Sequence, residues 1–171
     1  MRCGGYVLST SPIGCQRTAA LGGTFEKLHK GHRGIILRAL QVADSLIIGL
    51  SSDRFSASMK KSHPIKPYNV RLADLKAFLK AVGALERVDI VPLDDPYGPA
   101  ISDSSIGAVV VSPETLKTAL EIRRIRLEKR LGPLQIYVVN FVLDDDGKPI
   151  SSSRVSVGTI SAEGRSLKEP P

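Results

Sequence analysis

Two histidines three residues apart, His29 and His32, close the run Gly22-Gly23-Thr24-Phe25-Glu26-Lys27-Leu28-His29-Lys30-Gly31-His32. Paired glycines where a strand gives way to a loop let backbone approach a ligand with no Cβ in the way. A helical pattern follows from about Gly31, so its first N–H groups and positive dipole end face the same space. Imidazoles spaced i, i+3 at a helix start share one face and can bracket a phosphate. A chemical role also asks for donors aimed at charge that develops during reaction. Neither G-x-x-x-x-G-K-[ST] nor G-x-G-x-x-G occurs, which excludes the Walker and dinucleotide-binding loops. A lone histidine usually reads as a satisfied core residue; this pair, set between Gly-Gly and a helix, reads as functional.

A second element is Ile150-Ser151-Ser152-Ser153-Arg154. A serine run ahead of an arginine can cap a helix, with backbone and hydroxyl donors facing the strand ends. Arg154 adds a planar cation suited to phosphate oxygens. Serine-rich turns are common, so the weight of this element lies in its position. In a doubly wound sheet it closes over the same crevice as His29 and His32.

The elements that must position these residues alternate along the chain. An apolar run from Arg17 to Leu21 ends in the glycine pair, and a helix follows with Ile35, Ile36, Ala39, Leu40 and Ala43 on one face. Ser45 to Leu50, Val88 to Leu93 and Gly107 to Val111 read as buried strands, and Gln135 to Leu143 as the last long one. Asn69 to Val82 is helical, with Leu72, Leu75, Phe78, Leu79 and Val82 on its apolar face. Ser112-Pro113-Glu114 starts a helix that Gly132-Pro133 ends, and Leu116, Leu120, Leu127 and Leu131 are its expected buried stripe. Continuous apolar strands separated by helices imply a parallel sheet covered on both faces. The expected fold is a single α/β domain, a Rossmann-like doubly wound parallel sheet, with ligands beyond the carboxyl ends of its strands. Residues 17–158 form this domain, 1–16 an N-terminal extension and 159–171 a C-terminal tail rich in Ser, Gly and Pro.

A chain of 171 residues and 18.4 kDa suits one domain, with 42% hydrophobic and 24% charged residues near the globular norm. No apolar run approaches a membrane span, and the N-terminus lacks a signal peptide's basic start and apolar stretch, so a cytoplasmic location is expected. Two cysteines, Cys3 and Cys15, build neither a disulfide framework nor a four-cysteine zinc site. The net charge is +7 and the pI about 9.6, which fits polyanionic partners. Residues 116–130 alone carry +4 of it, either as a solvated helix face or as a surface for anions. Four Phe, four Tyr and no Trp offer few stacking platforms, which weighs against a non-catalytic nucleic-acid binder.

Together, Gly-Gly-Thr-Phe-Glu…His-Lys-Gly-His and Ile-Ser-Ser-Ser-Arg resemble the nucleotidyltransferase superfamily with H-x-G-H and I-S-S-x-x-R-type motifs. Within it, the intervening residues resemble the archaeal type of phosphopantetheine adenylyltransferase, which is similar to the adenylyltransferase domain of eukaryotic CoA synthase. Those residues are Gly49-Leu50-Ser51-Ser52-Asp53, Pro67-Tyr68 with Arg71, Leu75 and Phe78-Leu79, Asp95-Pro96-Tyr97-Gly98-Pro99-Ala100, Val110 to Thr115, and Arg124-Ile125-Arg126. The likeness spans about Ala20 to Gly158. It implies adenylyl transfer from ATP to 4'-phosphopantetheine, giving dephospho-CoA and pyrophosphate, in coenzyme A biosynthesis. It further implies that His29 and His32 hold the triphosphate, with His32 the main stabiliser of the pentavalent state. Gly22, Gly23, Thr24 and Phe25 would lie along the nucleotide, with Thr24 also beside the attacking phosphate. Ser151, Ser152, Ser153 and Arg154 would bind the β- and γ-phosphates, and Lys60 or Lys61 would neutralise the acceptor phosphate. Mg²⁺ is expected as a partner of ATP rather than in a protein cage. Sister transferases using nicotinamide mononucleotide, FMN or a glycerol or sugar phosphate are the alternative.

The chain departs from the family pattern in places. Glu26 stands where Asp is usual, and Arg123 where Asn is expected. Ser112 and Thr115 occupy the places of two arginines of the bacterial branch, for which Arg124 or Arg126 is the expected substitute. The extension holding both cysteines matches nothing in the family. Of the remaining polar residues, His63 reads as a loop residue, and Asp144-Asp145-Asp146 as a solvated turn rather than a calcium loop. Asp95 to Pro99 is either a rigid turn or a wall on the pantetheine side.

Overall fold

The computed structural model describes residues 18–59 and 63–167. Five strands form one parallel sheet: β1 (Thr18–Gly23), β2 (Ser45–Ser51), β3 (Val88–Leu93), β4 (Ile106–Val111) and β5 (Gln135–Val138). Their order is β3-β2-β1-β4-β5. The chain winds outward through β2 and β3, then crosses back to add β4 and β5 on the other side of β1. The winding reverses between β1 and β4, which is where an open α/β sheet leaves a crevice at its carboxyl ends. The helices are α1 (Lys30–Val42), α2 (Asp53–Ser58), α3 (Tyr68–Ala81), α4 (Leu116–Glu128) and α5 (Ser152–Ser156). The Rossmann-like expectation is met. No helix among the described residues is long and apolar enough to cross a membrane.

Side-chain alternation splits the core into two layers. Ala19, Leu21, Leu46, Ile48, Leu50, Ala108 and Val110 face Ile36 and Ala39 of α1 and Leu75 and Leu79 of α3. Ala20 and Val109 face the other way, against Ala119 and Ile122 of α4 with Ala100 and Leu134. Small residues on this second face leave space above the sheet.

Helix α4 corrects the expected leucine stripe. Leu120 and Leu127 are 43% and 78% exposed, and the buried side is Ala119, Ile122 and Arg126. The helix is rotated because the loops beneath it need donors more than the core needs leucines. Arg126, only 1% exposed, gives Nη1 hydrogen bonds to the carbonyls of Ala100 and Asp103 (both 2.8 Å). Its Nη2 reaches the carbonyls of Ile106 (2.9 Å) and Gly132 (3.4 Å). Buried carbonyls without donors are costly, so one guanidinium outweighs two leucines.

The last strand is also shorter than expected. β5 stops at Val138, and the chain leaves the sheet after Val139 donates to the Val111 carbonyl (2.8 Å). It then doubles back: Leu143 bridges Pro149 antiparallel, and Ile150 N–H donates to the Val142 carbonyl (3.0 Å). Gly147, at φ +75°, makes the turn, and the return limb carries Ile150 to Arg154 back to the strand ends. The stretch expected as a tail after Gly158 is packed through Leu167, with Ile160 buried. The N-terminal extension and its cysteines lie outside the described residues.

These placements predict opposite outcomes on one helix. Arg126→Met strands four carbonyls and should cost on the order of 3 kcal/mol, while Leu127→Lys should stay within about 0.5 kcal/mol. Urea unfolding checks both; a tolerant Arg126 or a sensitive Leu127 would restore the leucine stripe.

Candidate active site

A cavity of about 650 Å³ opens at the carboxyl ends of β1, β2 and β4, on the switch point. Its wall includes Gly22, Gly23, Thr24, Phe25, His29 and His32 from the β1–α1 connection. Ser151, Ser152 and Ser153 line it from the α5 side. Residues more than a hundred positions apart thus face one space.

His29 is the N-cap of α1: its Nδ1 accepts the His32 N–H at 3.4 Å. That bond requires an unprotonated Nδ1, so the neutral ring carries its proton on Nε2. Burial, then the charges of His32 and Arg33, push the His29 pKa down to about 3. The two imidazoles stack with centroids 3.9 Å apart and planes 19° off parallel. His32 donates from Nδ1 to the Lys27 carbonyl (2.8 Å), which fixes its tautomer and ring direction. Gly31 makes room for the stack, since a Cβ there would stand 3.1 Å from the His29 ring. Phe25 sets the ring of His32 from the edge, at 5.1 Å, and holds a left-handed backbone (φ +48°) in a buried position. Such a conformation costs a non-glycine residue about 1–2 kcal/mol.

Behind these residues lies a clamp that the sequence reading passed over as one more residue of the family likeness. Arg71, 0% exposed on α3, donates to the carbonyls of Thr24 (3.0 Å), Ser51 (2.8 Å) and Lys66 (2.7 Å), and to Asp53 (2.9 Å). It thereby joins the ends of β1 and β2 to the segment before α3. Glu26, buried beside it, accepts the Lys66 N–H at 2.6 Å, so its extra methylene relative to Asp spans to that same segment. The available signal was Arg71 recurring with Leu75 and Leu79 at four-residue spacing: a cation on an apolar stripe.

Other expected residues fall differently. Arg154 does not line the cavity; its guanidinium holds the Asp144 carboxylate and the Pro149 carbonyl (2.9 Å). Asp144 is therefore a buried ion-pair partner and not part of a solvated turn. Burial opposes its ionisation, but the Lys148 N–H, Arg154 and the Asp146 N–H together keep its carboxyl below the usual range. Ser112 and Thr115 both line the cavity and cap each other. No arginine substitutes for them there: Arg123 and Arg124 are exposed on α4, with Arg124 paired to Glu128, and Arg126 is committed to the core. Tyr97 serves as turn and wall at once. Asp95 accepts its N–H (2.7 Å) and that of Gly98 (2.8 Å), while the ring lines the cavity and its hydroxyl donates to Glu121 (3.2 Å). His63 lies off the cavity wall. Lys60 and Lys61 are outside the described residues; Met59, just before them, lines the cavity.

A parallel sheet with its cavity at the switch point, floored by glycines and flanked by a histidine-capped helix, defines a nucleotide-handling α/β domain. The family described as cytidylyltransferase-like matches residues 20–156. A phosphopantetheine adenylyltransferase of Methanopyrus kandleri is 41% identical over 145 residues, covering 85% of this chain and 92% of that protein. Another, from Methanosarcina mazei, is 40% identical over 153 residues, covering 88% and 97%. Among solved structures, a protein of unknown function from Archaeoglobus fulgidus superposes with a TM-score of 0.64 at 32% identity, covering 71% of this chain and 88% of that one. The chain belongs to the phosphopantetheine adenylyltransferase family within the cytidylyltransferase-like class.

The depressed pKa of His29 makes stability pH-dependent. Below pH 6.5 the unfolded chain protonates residue 29 while the folded protein does not until about pH 3, so stability present above pH 6.5 is lost as pH falls. Urea unfolding should show a loss of about 2 kcal/mol at this residue between pH 7 and 5. His29→Asn keeps a cap acceptor and should flatten that slope; an unchanged slope would assign it elsewhere.

Proposed function

We propose that this chain transfers the adenylyl group of ATP to 4'-phosphopantetheine, forming dephospho-CoA and pyrophosphate in coenzyme A biosynthesis. The observation that carries this reading is the convergence of His29, His32 and Ser151 to Ser153 on one cavity, in a chain of this family. An oxygen of the acceptor phosphate attacks the α-phosphorus of ATP, the bond to the bridging α–β oxygen breaks, and pyrophosphate leaves. The nucleophile is already an anion, so the protein needs no covalent intermediate and works by positioning and charge stabilisation.

These roles rest on the family resemblance, with the lining of the cavity in support. His32, oriented by the Lys27 carbonyl, serves the charge that builds on the α-phosphate; His29 holds the helix start and the ring beside it. Gly22 and Gly23 allow close approach of the nucleotide, and Thr24 and Phe25 flank it. The serine turn receives the β- and γ-phosphates. Arg154 fixes this turn through Asp144 and Pro149. Lys60 or Lys61 neutralises the acceptor. Magnesium enters as part of the ATP complex, held by its phosphates; no cluster of three or more His, Cys, Asp or Glu that could hold a metal occurs among the described residues.

The test is pyrophosphate release with ATP and Mg²⁺, comparing 4'-phosphopantetheine with nicotinamide mononucleotide, FMN and glycerol 3-phosphate, and CTP against ATP. Release with ATP and phosphopantetheine alone is expected; preference for another acceptor would move the chain to a sister activity. His32→Ala should lower kcat about 10²–10³-fold, with a smaller change in ATP affinity, as befits a contact made in the transition state. Equal losses in both would reduce His32 to a ground-state ligand.

A further inference from the structure

The chain beyond α5 does more than end. Gly158, at φ +73°, closes α5 in a Schellman turn: its N–H donates to the Val155 carbonyl (3.2 Å) and Thr159 N–H to the Arg154 carbonyl (3.1 Å). The chain then forms a small antiparallel hairpin. Ile160 bridges Ser166, Ser161 N–H donates to Arg165 (2.8 Å), and Leu167 N–H to Thr159 (3.1 Å).

One side of this hairpin sits on the serine turn. Ile160 is 1% exposed, Asp145 N–H donates to the Gly164 carbonyl (3.2 Å), and Gly164 (φ +88°) packs so closely that a Cβ would lie 2.6 Å from the Ile150 side chain. Its tip holds the other half of the site. The Ala162 carbonyl accepts the Lys30 N–H (2.9 Å), one of the first-turn donors of α1 beside His29. Glu163 pairs with Arg33, one turn further along α1. Arg33, then Lys30 and Arg165, hold the Glu163 carboxyl below its ordinary range despite some desolvation.

We propose that Thr159–Leu167 is a positioning brace that sets the spacing between the histidine end of α1 and the Ile150–Ser153 turn, with Glu163 and Arg33 as its lock. The brace lies beyond residues 20–156, the segment that the family model matches. The proposal rests on the reading that both elements hold the triphosphate of ATP. A shift of either element alone would misplace phosphates whose geometry must fit both, and small misplacements weaken such sites severely.

The lock gives a clean test because it is exposed: Glu163 is 54% and Arg33 28% accessible, and such pairs add little to folding. Glu163→Gln should weaken ATP, by calorimetry without acceptor and as KM, about three- to fivefold. The KM for phosphopantetheine should stay within about twofold and the unfolding midpoint should hardly move. The exchanged pair Arg33→Glu with Glu163→Arg should restore ATP affinity. Gly164→Ala, which forces the hairpin off Ile150, should weaken ATP about tenfold or more. Unchanged ATP affinity in both Glu163→Gln and Gly164→Ala overturns the brace, as do parallel losses of ATP and acceptor binding that track lost stability. Calorimetry keeps the two readings apart: an acceptor other than phosphopantetheine corrects the function and leaves the ATP comparison standing.

Discussion

Loops that join parallel strands leave backbone carbonyls that no ladder can satisfy, and this structure depends on how it supplies their donors. Two fully buried arginines do so. Arg71 takes three carbonyls at the ends of β1 and β2 and before α3; Arg126 takes four beneath α4. Arg126 bonds carbonyls rather than a carboxylate, with the Asp103 charge as further support. A guanidinium suits this work because its donors form a rigid planar fork, whereas an ammonium would converge all bonds on one point. The loops so held, Thr24 on one side and Ala100 on the other, are walls of the site. Rigidity and binding geometry therefore share one cause.

Within those walls the histidine pair divides its labour. One ring is consumed as a helix cap and is kept neutral by burial and by the charges of His32 and Arg33. Its neutrality is what permits a second imidazole 3.9 Å away, since two stacked cations would repel at that distance. The glycine between them supplies the remaining condition, clearance for the first ring. The spacing His-x-Gly-His is thus explained by a cap, a neutral stack and a missing Cβ.

What was legible in the sequence is what local pattern decides. The apolar strands, the glycine end of β1, the helix starts near Gly31 and at Ser112, and the serine turn all follow from residues a few positions apart. The misreadings share the opposite origin. The leucines of α4 obeyed helical spacing, yet Arg126 faced inward because carbonyls from a distant loop required it. β5 ended early because the chain had to double back through Asp144 to Pro149 and deliver the serines. Asp144 looked like one of three solvated acids until Arg154, ten residues on, paired with it. The segment after Gly158 looked like a tail because its composition is polar and small, and its order comes from contacts with Ile150, Lys30 and Arg33. One general sign was available: a lone arginine at a core position of an amphipathic helix marks backbone that needs donors.

The distribution of charge follows from the same constraint. Apart from Arg126, the basic residues of α4 lie on its exposed face, and among the described residues lining the cavity there is no lysine or arginine. The cavity presents imidazoles, hydroxyls and peptide N–H groups, which can be held in place without the desolvation cost of a buried cation. Two arginines follow wall residues in the chain, and each is engaged with a carboxylate: Arg154 with Asp144, Arg33 with Glu163. Those carboxylates fix where the cations sit, at the two places that join the serine turn to the histidine helix. The anions that orient these arginines are carried by the Asp144 turn and by the hairpin after Gly158. Both lie at the C-terminal side of the chain, so Arg33, in the β1–α1 half of the site, gains its carboxylate partner only when the last segment has folded onto it.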